Sequence, residues 1–424
     1  MWKSWSGSSR AWWTEGTPWW SSSTTWRSSR PQTGSWTWVP RGARREGRSS
    51  IRGHLKGSWP WRPLRPRPCG PIFKEENEVP RVLLVKLSAL GDVIQTLPVL
   101  SALKRARENW RIDWVVEEEN AEILRGHPLI EELFPFPRRR ILRLLRSGEI
   151  GKALKLWGEF LEGLRARPYE VVLDLQGLFK SALVVALARG KRKLGFANHR
   201  EGSTLVLTEK LPAYDPDLHA VRRYLSAAEI LGGVAEPVDF PMAPYPSAGE
   251  MARKLGLPPP PWLVFIPATR WETKLWPEEH WRALAERAPA FGLPLLWVGG
   301  PGDREYVSRL AVSGLNLAGG LSLKELAGIL SGAAAVVSVD TGPMHLAAAL
   351  GRPVVALFGP TAPWRTGPFG KGHRILHSGL PCAPCFRRRC PAPRCLSGIS
   401  PEEVLKALRE VLAGNRAENP QVRK

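Results

Sequence analysis

The chain has 424 residues and a formal net charge of +22 at pH 7, and 43% of its residues are hydrophobic. It is too long for one typical compact domain and suits two domains of about 150 to 200 residues each. It has no apolar run of about 20 residues, the length needed to span a membrane. The N-terminal sequence also lacks the continuous apolar segment of a secretory signal. We therefore expect a soluble protein of the cytoplasm.

Residues 1–79 differ from the rest of the chain. They hold eleven of the twenty Trp and 14 Lys and Arg against 5 acids, so the remaining residues still carry +13. They contain few aliphatic residues and show no helical or strand period, so they cannot bury enough apolar surface to fold. We interpret them as a disordered, or even spurious, extension. The alternative is a segment that stacks on nucleic acid or anchors at a membrane interface.

From residue 80 the sequence alternates between strand and helix patterns. "RVLLVKL", "RIDWVVEE" and "VVLDLQG" are apolar runs typical of buried parallel strands, and "DVIQTLPVLSALKRARENW" has apolar positions three and four apart, as in a helix. We also expect "NAEILRGHP" to be helical. The alternation predicts a Rossmann-like doubly wound domain over residues 80–245.

A basic stretch, residues 137–168, interrupts this series: "PRRRILRLLRSGEIGKALKLWGEFLEGLRARP". Its apolar spacing predicts one or two amphipathic helices. The simpler interpretation is a solvated helical surface. The alternative is peripheral contact with an anionic lipid surface, such as the inner face of the cytoplasmic membrane.

The second half follows the Pro-rich boundary "LGLPPPPW", which cannot continue a helix. "WLVFIPA", "PLLWVGG", "AVVSVD" and "PVVALFG" alternate with helical segments and predict a second Rossmann-like domain over residues 260–398. "SPEEVLKALREVLAG" has a Ser cap, early acids and a Gly stop. It predicts a C-terminal helix over residues 399–413, which we expect to pack back on the first domain. The fold class is α/β, with two doubly wound domains facing across a cleft.

Asp92 follows Gly91 where the first predicted strand gives way to a helix. Glycine allows backbone to approach a ligand, and the first N–H groups of a helix can bind an anion. The sequence is not G-x-G-x-x-G, so a nicotinamide dinucleotide site is poorly supported. The alternative role for Asp92 is a plain helix cap.

A second strand-to-helix junction carries Asp340, Thr341, Gly342 and, one turn later, His345. The N–H groups of Thr341, Gly342 and Met344 are candidates to hold a diphosphate, with further hydrogen bonds from the Thr341 hydroxyl and the His345 ring. Capping by Asp340 or Thr341 and a structural histidine are the alternatives.

Arg270 and Lys274 lie in the loop after the first strand of the second domain, in "PATRWETKLWPEEHW". Cations at the carboxyl end of a strand are well placed to neutralise charge that develops on a leaving diphosphate. A surface lysine is the alternative for Lys274.

Over residues 80–412 the chain resembles glycosyltransferase family nine, the ADP-heptose:lipopolysaccharide heptosyltransferases, which have the GT-B fold. Six stretches carry the resemblance: "VKLSALGDVIQTLP", "DLQGLFKSAL", "HAVRRYLSAAEILG", "TRWETKLWPEEHW", "SVDTGPMHLAAALGRPVVALFGPT" and "PCAPCFRRRCPAPRCLSGISPEEV". The extension before residue 80 has no counterpart in the family. The hydroxyl-rich loop that precedes the lysine in the family reads Thr269, Arg270 and Trp271 here.

The resemblance implies that Asp92 is the catalytic base and that Lys274 lies near the donor phosphates. It also implies a donor-binding set and an acceptor-binding set. The donor-binding set is Thr269, Arg270, Asp340, Thr341, Gly342, Met344 and His345. The acceptor-binding set is Gly91, Gln176, Lys180 and Arg200.

Four cysteines lie close together with spacing C-x2-C-x4-C-x4-C: Cys382, Cys385, Cys390 and Cys395. Four converging thiolates can hold a structural zinc ion or an iron–sulfur cluster, and Cys382 and Cys385 have the usual knuckle spacing. Disulfides are the competitor, which a reducing cytoplasm disfavours. A structural role is also what the resemblance implies, because only some family members have similar cysteines.

The function predicted is inverting, metal-independent transfer of a sugar, heptose from ADP-heptose by the resemblance, to a lipopolysaccharide-type or other cell-surface glycan. No catalytic cofactor is expected. The partners are an ADP-sugar and an anionic glycolipid, with no nucleic acid. The alternatives are another nucleotide-sugar enzyme, such as an epimerase on the same scaffold, and a basic nucleic-acid-binding protein.

Overall fold

The structure, a computed structural model, describes residues 79–418. The predicted N-terminal extension therefore lies outside the described residues, apart from Val79. The described residues form two α/β lobes, each built on a parallel sheet. Within them, no helix combines the length and the apolar character needed to cross a membrane.

The first lobe contains a parallel sheet of order β3-β2-β1-β4-β5-β6. Its strands are β1 (Arg81–Val85), β2 (Arg111–Glu117), β3 (Glu132–Phe136), β4 (Tyr169–Asp174), β5 (Gly190–Phe196) and β6 (Glu209–Leu211). Its helices are α1 (Leu90–Ala106), α2 (Arg138–Arg146), α3 (Ile150–Arg165), α4 (Phe179–Leu187) and α5 (Ala220–Ile230).

The second lobe contains a parallel sheet of order β12-β11-β10-β7-β8-β9. Its strands are β7 (Trp262–Ile266), β8 (Leu295–Trp297), β9 (Leu315–Asn316), β10 (Ala333–Val339), β11 (Val354–Phe358) and β12 (Arg374–His377). The helices of this half are α6 (Ala248–Leu255), α7 (Glu278–Arg287), α8 (Arg304–Leu310), α9 (Leu323–Ser331), α10 (Gly342–Ala349), α11 (Pro363–Thr366) and α12 (Pro401–Glu418).

Strand β1 shows why these sequences form covered parallel sheets. Val82 and Leu84 point into one hydrophobic core, and Leu83 and Val85 point into another on the opposite face of the sheet. Because side chains alternate along a strand, an unbroken apolar run can be buried only where helices cover both faces. The β1 sequence therefore requires a layered α/β arrangement.

One continuous core joins the inner faces of the two lobes. It includes residues of α1 and β1 from the first lobe together with residues of β7, α9 and α10 from the second. Helix α1 packs directly on α10. The loops after β1 and β10 therefore meet between the lobes.

Both sheets have the strand order 3-2-1-4-5-6 when the strands of each lobe are numbered from its start. In this order the chain changes direction across the sheet between the first and fourth strands, and ligands bind outside their carboxyl ends. In this protein those strands are β1 and β4 in one lobe and β7 and β10 in the other. Most of the predicted site residues follow these four strands.

Two sequence-based expectations differ from the structure. The segment predicted as a helix in "NAEILRGHP" is a 3-10 helix, Glu118–Leu124. The C-terminal helix packs on the second lobe, not on the first, through contacts with α7, β10, β11 and β12. Its buried face, including Val404, Leu408 and Val411, completes the outer core of the second sheet. The physical reason is that this apolar stripe covers strand faces in the second lobe that would otherwise be exposed.

Candidate active site

Asp92 lies in the first turn of α1, at the carboxyl end of β1. One carboxylate oxygen, Oδ2, accepts a hydrogen bond from the Ala89 N–H at 3.1 Å. The other, Oδ1, accepts one from the Tyr224 hydroxyl at 3.0 Å and lies 4.0 Å from the Lys86 ammonium. The side chain is 39% exposed, so a substrate can reach a carboxylate that the protein already holds in place.

The surroundings of Asp92 favour its ionised form. Burial raises the pKa of the carboxyl, but the Lys86 charge, the Ala89 N–H and the Tyr224 hydroxyl outweigh it, with a smaller contribution from His345. The net pKa therefore lies below the ordinary value, and Asp92 is ionised at neutral pH.

Lys86 and Tyr224 are site residues that were not identified from the sequence. Lys86 is the first residue after β1, and Tyr224 reaches the same point from α5. Both are buried. The available signal was a lysine directly after the apolar run "VLLV" of β1, because a buried cation needs a polar partner.

The His345 side chain of the second lobe contacts the start of α1 in the first lobe. A Cβ atom on Gly91 would overlap the Cδ2 atom of its ring, so only glycine fits there. The Gln95 amide nitrogen lies 3.3 Å from Nδ1 of the ring. Since that nitrogen can only donate, Nδ1 accepts and a neutral ring carries its proton on Nε2. Burial lowers the pKa of His345, which keeps the ring neutral at pH 7.

Asp340 contacts side chains from two other loops of the second lobe, those after β7 and β11. Its Oδ2 atom receives the Lys274 ammonium at 2.6 Å and the Thr361 hydroxyl at 2.7 Å. Its backbone carbonyl accepts from the Thr269 hydroxyl at 3.3 Å. The structure thus brings Lys274, Thr269 and Asp340 together, and Thr361 joins them although no sequence pattern singled it out. Arg270 is exposed beside this cluster.

Helix α10 begins at Gly342 with Thr341 as its N-cap residue. The Met344 N–H donates to the Thr341 carbonyl at 3.2 Å, so this donor already has a partner. Pro343 has no N–H. Of the three N–H groups predicted to bind an anion, those of Thr341 and Gly342 are the better candidates.

The predicted acceptor-side residues after β4 have structural partners. The Gln176 side-chain oxygen accepts from the N–H groups of Leu87 and Ser88 at 3.1 and 3.0 Å. The Lys180 ammonium pairs with Glu117 at 2.8 Å and also donates to the Ser88 hydroxyl. Gln176 and Lys180 therefore fix the loop that precedes Asp92. Arg200 is exposed, in the turn after β5.

The four cysteines of the predicted metal centre lie in the segment that follows β12, and the metal centre stays a prediction. All four residues are free thiols: Cys382, Cys385, Cys390 and Cys395. Cys382 and Cys385 are exposed, whereas Cys390 and Cys395 are partly buried. Among residues 79–418, no three His, Cys, Asp or Glu side chains converge closely enough to hold a metal ion.

The segment that carries the cysteines packs on the loops that follow β7 and β11. The Thr273 hydroxyl donates to the Arg387 carbonyl at 2.7 Å, and the Phe386 N–H donates to the Pro360 carbonyl at 2.8 Å. The Cys395 thiol lies 3.9 Å from the Thr273 carbonyl oxygen. These contacts attach the cysteine segment to the loop that leads to Lys274.

Comparisons with known proteins agree with this arrangement. The model of the family "Glycosyltransferase family 9 (heptosyltransferase)" matches residues 157–396. The chain is 37% identical over 367 residues to lipopolysaccharide heptosyltransferase 1 of Pseudomonas aeruginosa, which covers 78% of this chain and 98% of that protein. It is 36% identical over 304 residues to the Escherichia coli K12 protein of the same name, covering 70% and 93% respectively.

A solved structure of E. coli heptosyltransferase WaaC with ADP-2-deoxy-2-fluoro heptose is similar to this chain with a TM-score of 0.62 and 33% identity. The match covers 78% of this chain and 99% of that one. These matches confirm the predicted GT-B fold. The chain belongs to glycosyltransferase family 9, the heptosyltransferase family, and is a glycosyltransferase.

Proposed function

We propose that this enzyme transfers heptose from ADP-heptose to a lipopolysaccharide-type acceptor, with inversion at the anomeric carbon and Asp92 as the general base. The relatives at 37% and 36% identity are named lipopolysaccharide heptosyltransferases, and the similar solved structure holds an ADP-heptose analogue. Neither an epimerase nor a nucleic-acid-binding protein is favoured, because the family match and these relatives all name heptosyl transfer.

The observation that carries the mechanism is the position of Asp92 opposite the start of α10. The His345 ring of α10 contacts the first turn of α1, where a Cβ atom on Gly91, next to Asp92, would lie 2.4 Å from Cδ2 of the ring. A single displacement requires a base on one side of the anomeric carbon and a site for the leaving group on the other. The acceptor oxygen attacks the anomeric carbon, its proton passes to Asp92, and the bond to the diphosphate oxygen breaks.

The leaving diphosphate is stabilised by the second lobe. The N–H groups of Thr341 and Gly342 point from the start of α10, and the His345 Nε2–H adds a neutral donor. The Lys274 ammonium is held at this place by Asp340. We assign Lys274 to charge neutralisation, with Thr269, Arg270 and Met344 beside it and Gly91, Gln176, Lys180 and Arg200 on the acceptor side.

The reaction should need no divalent metal, because the Lys274 ammonium and the N–H groups at the start of α10 can stabilise the leaving diphosphate. We expect full transferase activity in the presence of EDTA. Activity that EDTA abolishes and Mg²⁺ restores would contradict this expectation.

Contact with the inner face of the cytoplasmic membrane is part of the proposal, because the acceptor is lipid-linked. Helices α2 and α3 pack together and leave apolar side chains exposed among cations. The exposed apolar residues are Leu142, Leu145, Ile150 and Leu154. A groove of about 400 Å³ between the helices is lined by Arg140, Arg143, Leu144, Lys152, Lys155, Leu156 and Glu159. Such a surface suits anionic lipid.

The test is transfer from ADP-heptose to a lipopolysaccharide-core acceptor by Asp92→Asn. Loss of a general base typically lowers turnover by about 10²- to 10⁴-fold. Asp303→Asn is the matched control, because Asp303 also accepts a backbone N–H near a strand end, from Gly300 at 2.7 Å. Near-normal turnover by Asp92→Asn would remove Asp92 from its role. No transfer by the wild-type enzyme would refute the substrate assignment.

A further inference from the structure

We propose that Lys86 and Tyr224 are positioning residues for the base: the Lys86 ammonium fixes the Tyr224 hydroxyl as a donor to Asp92 and keeps the carboxylate ionised. The pair is hereafter called the lysine–tyrosine pair. This inference rests on the proposed function, since it assigns the groups that control the proposed base. Neither residue needs to touch the substrate.

The hydrogen bonds of the lysine–tyrosine pair have a defined direction. The Lys86 ammonium donates to the Tyr224 oxygen at 2.8 Å and to the Leu175 carbonyl at 2.9 Å. An ammonium has no acceptor, so the tyrosine oxygen must be the acceptor in the first bond. Its own hydrogen is then available to Asp92 Oδ1, 3.0 Å away. The chain runs from Lys86 through Tyr224 to Asp92 without a break.

The burial of Lys86 argues against a purely structural role. The residue is 2% exposed, and burial lowers its pKa to about 8. A buried ammonium costs free energy that an apolar side chain at the same position, just after β1, would not cost. A lysine in this place is therefore better explained by its effect on the acid 4.0 Å away.

The charged groups around Lys86 come from several elements. Asp92 faces it from α1 and Asp174 from the end of β4, and both favour its charged form. Arg223 of α5 and Lys180 of α4 oppose it. Removal of the Lys86 charge leaves Asp92 with its hydrogen bonds but without its strongest electrostatic stabilisation, so the pKa of Asp92 must rise.

The protonation state of Lys86 should also determine how transfer activity changes at high pH. A neutral amine can accept a hydrogen bond, so the Tyr224 hydroxyl can turn toward Lys86 and away from Asp92. Transfer should then decline as the pH rises through about 8, where Lys86 loses its proton. At low pH, transfer should decline only below the ordinary range of an aspartate, because the Asp92 pKa is lowered.

The experiment is the pH profile of kcat/KM for wild type and Lys86→Met between pH 3 and 10, with ADP-heptose and the same acceptor. In Lys86→Met the acid limb should move upward by about 1 to 3 pH units, and the alkaline limb near pH 8 should disappear. Both enzymes are assayed with the same substrates, so ionisation of the substrates does not affect the difference between the two profiles. An acid limb at the wild-type position in Lys86→Met would overturn the inference.

Tyr224→Phe and Lys86→Arg keep the test decisive if Lys86→Met does not fold. Tyr224→Phe removes only the hydroxyl, so it should lower kcat and shift the acid limb upward by less than Lys86→Met, with the donor KM unchanged. Lys86→Arg keeps a permanent charge, so it should retain the wild-type acid limb and lose the alkaline one. A fall in thermal stability with both limbs unmoved would assign the pair a structural role and refute the inference.

Asp92→Asn separates this inference from the proposed function. If Asp92→Asn remains active, the proposed base is wrong and the inference fails with it. If Asp92→Asn is inactive and the acid limb is the same in wild type, Lys86→Met and Tyr224→Phe, only the inference fails.

Discussion

Gly91 shows how a single residue sets the distance between the lobes. A Cβ atom there would overlap Cδ2 of His345 and lie 3.1 Å from Nε2, and the ring cannot move freely because it contacts Gln95 as well. The close approach places His345 of the second lobe directly against the first turn of the helix that carries Asp92.

Gly91→Ala should therefore displace His345 and impair transfer more than folding. A misplacement of about 1 Å can cost roughly 10²-fold in rate, while the strain of one added methyl group costs about 1 to 3 kcal/mol of stability. The measurements are kcat/KM for ADP-heptose and the free energy of unfolding. Gly158→Ala in α3 is the control, because a Cβ there meets nothing within 4 Å. Equal activities of the two variants would contradict this role of Gly91.

At the scale of single residues, the sequence predicted local junctions better than distant partners. Asp92 and Asp340 follow buried strands, and that position alone suggests a site at a sheet edge. Tyr224 is 132 residues from Asp92 in the chain, and no local pattern connects them. Thr361 meets Asp340 for the same non-local reason. Only the packing of α5 and of the β11 loop brings these hydroxyls to the acids.

Among the elements, helices α2 and α3 carry the clearest surface prediction. Leu142 and Leu145 lie three positions apart, and Ile150 and Leu154 lie four apart, so each pair shares one helix face. Leu145 is 46% exposed and Leu154 is 63% exposed. Arg138 forms an ion pair with Glu117, and Arg140 forms one with Glu118. These ion pairs orient the two cations.

The double variant Leu145→Glu and Leu154→Glu should bind less tightly to vesicles that contain phosphatidylglycerol. Loss of apolar burial together with two added negative charges should weaken binding by at least about tenfold. Co-sedimentation with vesicles measures this effect. Leu205→Glu is the control, because Leu205 is 87% exposed but lies after β5. If Leu205→Glu weakens binding as much as the double variant does, α2 and α3 are not the contact surface.

The sequence predicted the order of elements well where apolar runs are long, as in β1, β7 and β10. It did not single out β5, "GKRKLGF", or the edge strand β12, whose residues are partly exposed and charged. The partner of α12 also could not be predicted, because its amphipathic pattern shows that one face is buried but not which lobe buries it. In the structure the second lobe buries that face. The Trp276 indole N–H of this lobe donates to the carbonyl of Ile399, just before α12, at 2.9 Å.

In the whole molecule, the two lobes are joined by contacts on both sides of the site. On one side the Leu323 N–H donates to Glu122 at 3.0 Å, and the Lys324 ammonium donates to the Arg125 carbonyl at 2.8 Å. On the other side His219 Nε2 lies 3.1 Å from the Gly367 carbonyl oxygen. Because Asp92 and Asp340 belong to different lobes, these contacts help to hold the two halves of the proposed site together.

His219 should make the lobe contact sensitive to acid. Its Nδ1 atom accepts the Val221 N–H at 3.2 Å, so Nε2 carries the proton of the neutral ring and donates to Gly367. Burial lowers the pKa of His219 from 6.5 to about 4, so the unfolded chain binds this proton more readily than the folded protein. Stability is therefore lost as the pH falls from about 6.5 to 4, by at most roughly 3 kcal/mol from this residue.

His219→Asn separates the titration from the contact, because asparagine can still cap α5 but does not titrate. At pH 8 the variant should be less stable than wild type by about 1 kcal/mol, the usual net contribution of one hydrogen bond. Between pH 6.5 and 4 it should lose less stability than wild type, since one proton-binding group is gone. Chemical unfolding at pH 8, 6.5, 5 and 4 measures both effects. If the variant loses as much stability as wild type over this range, another group is responsible for the acid sensitivity.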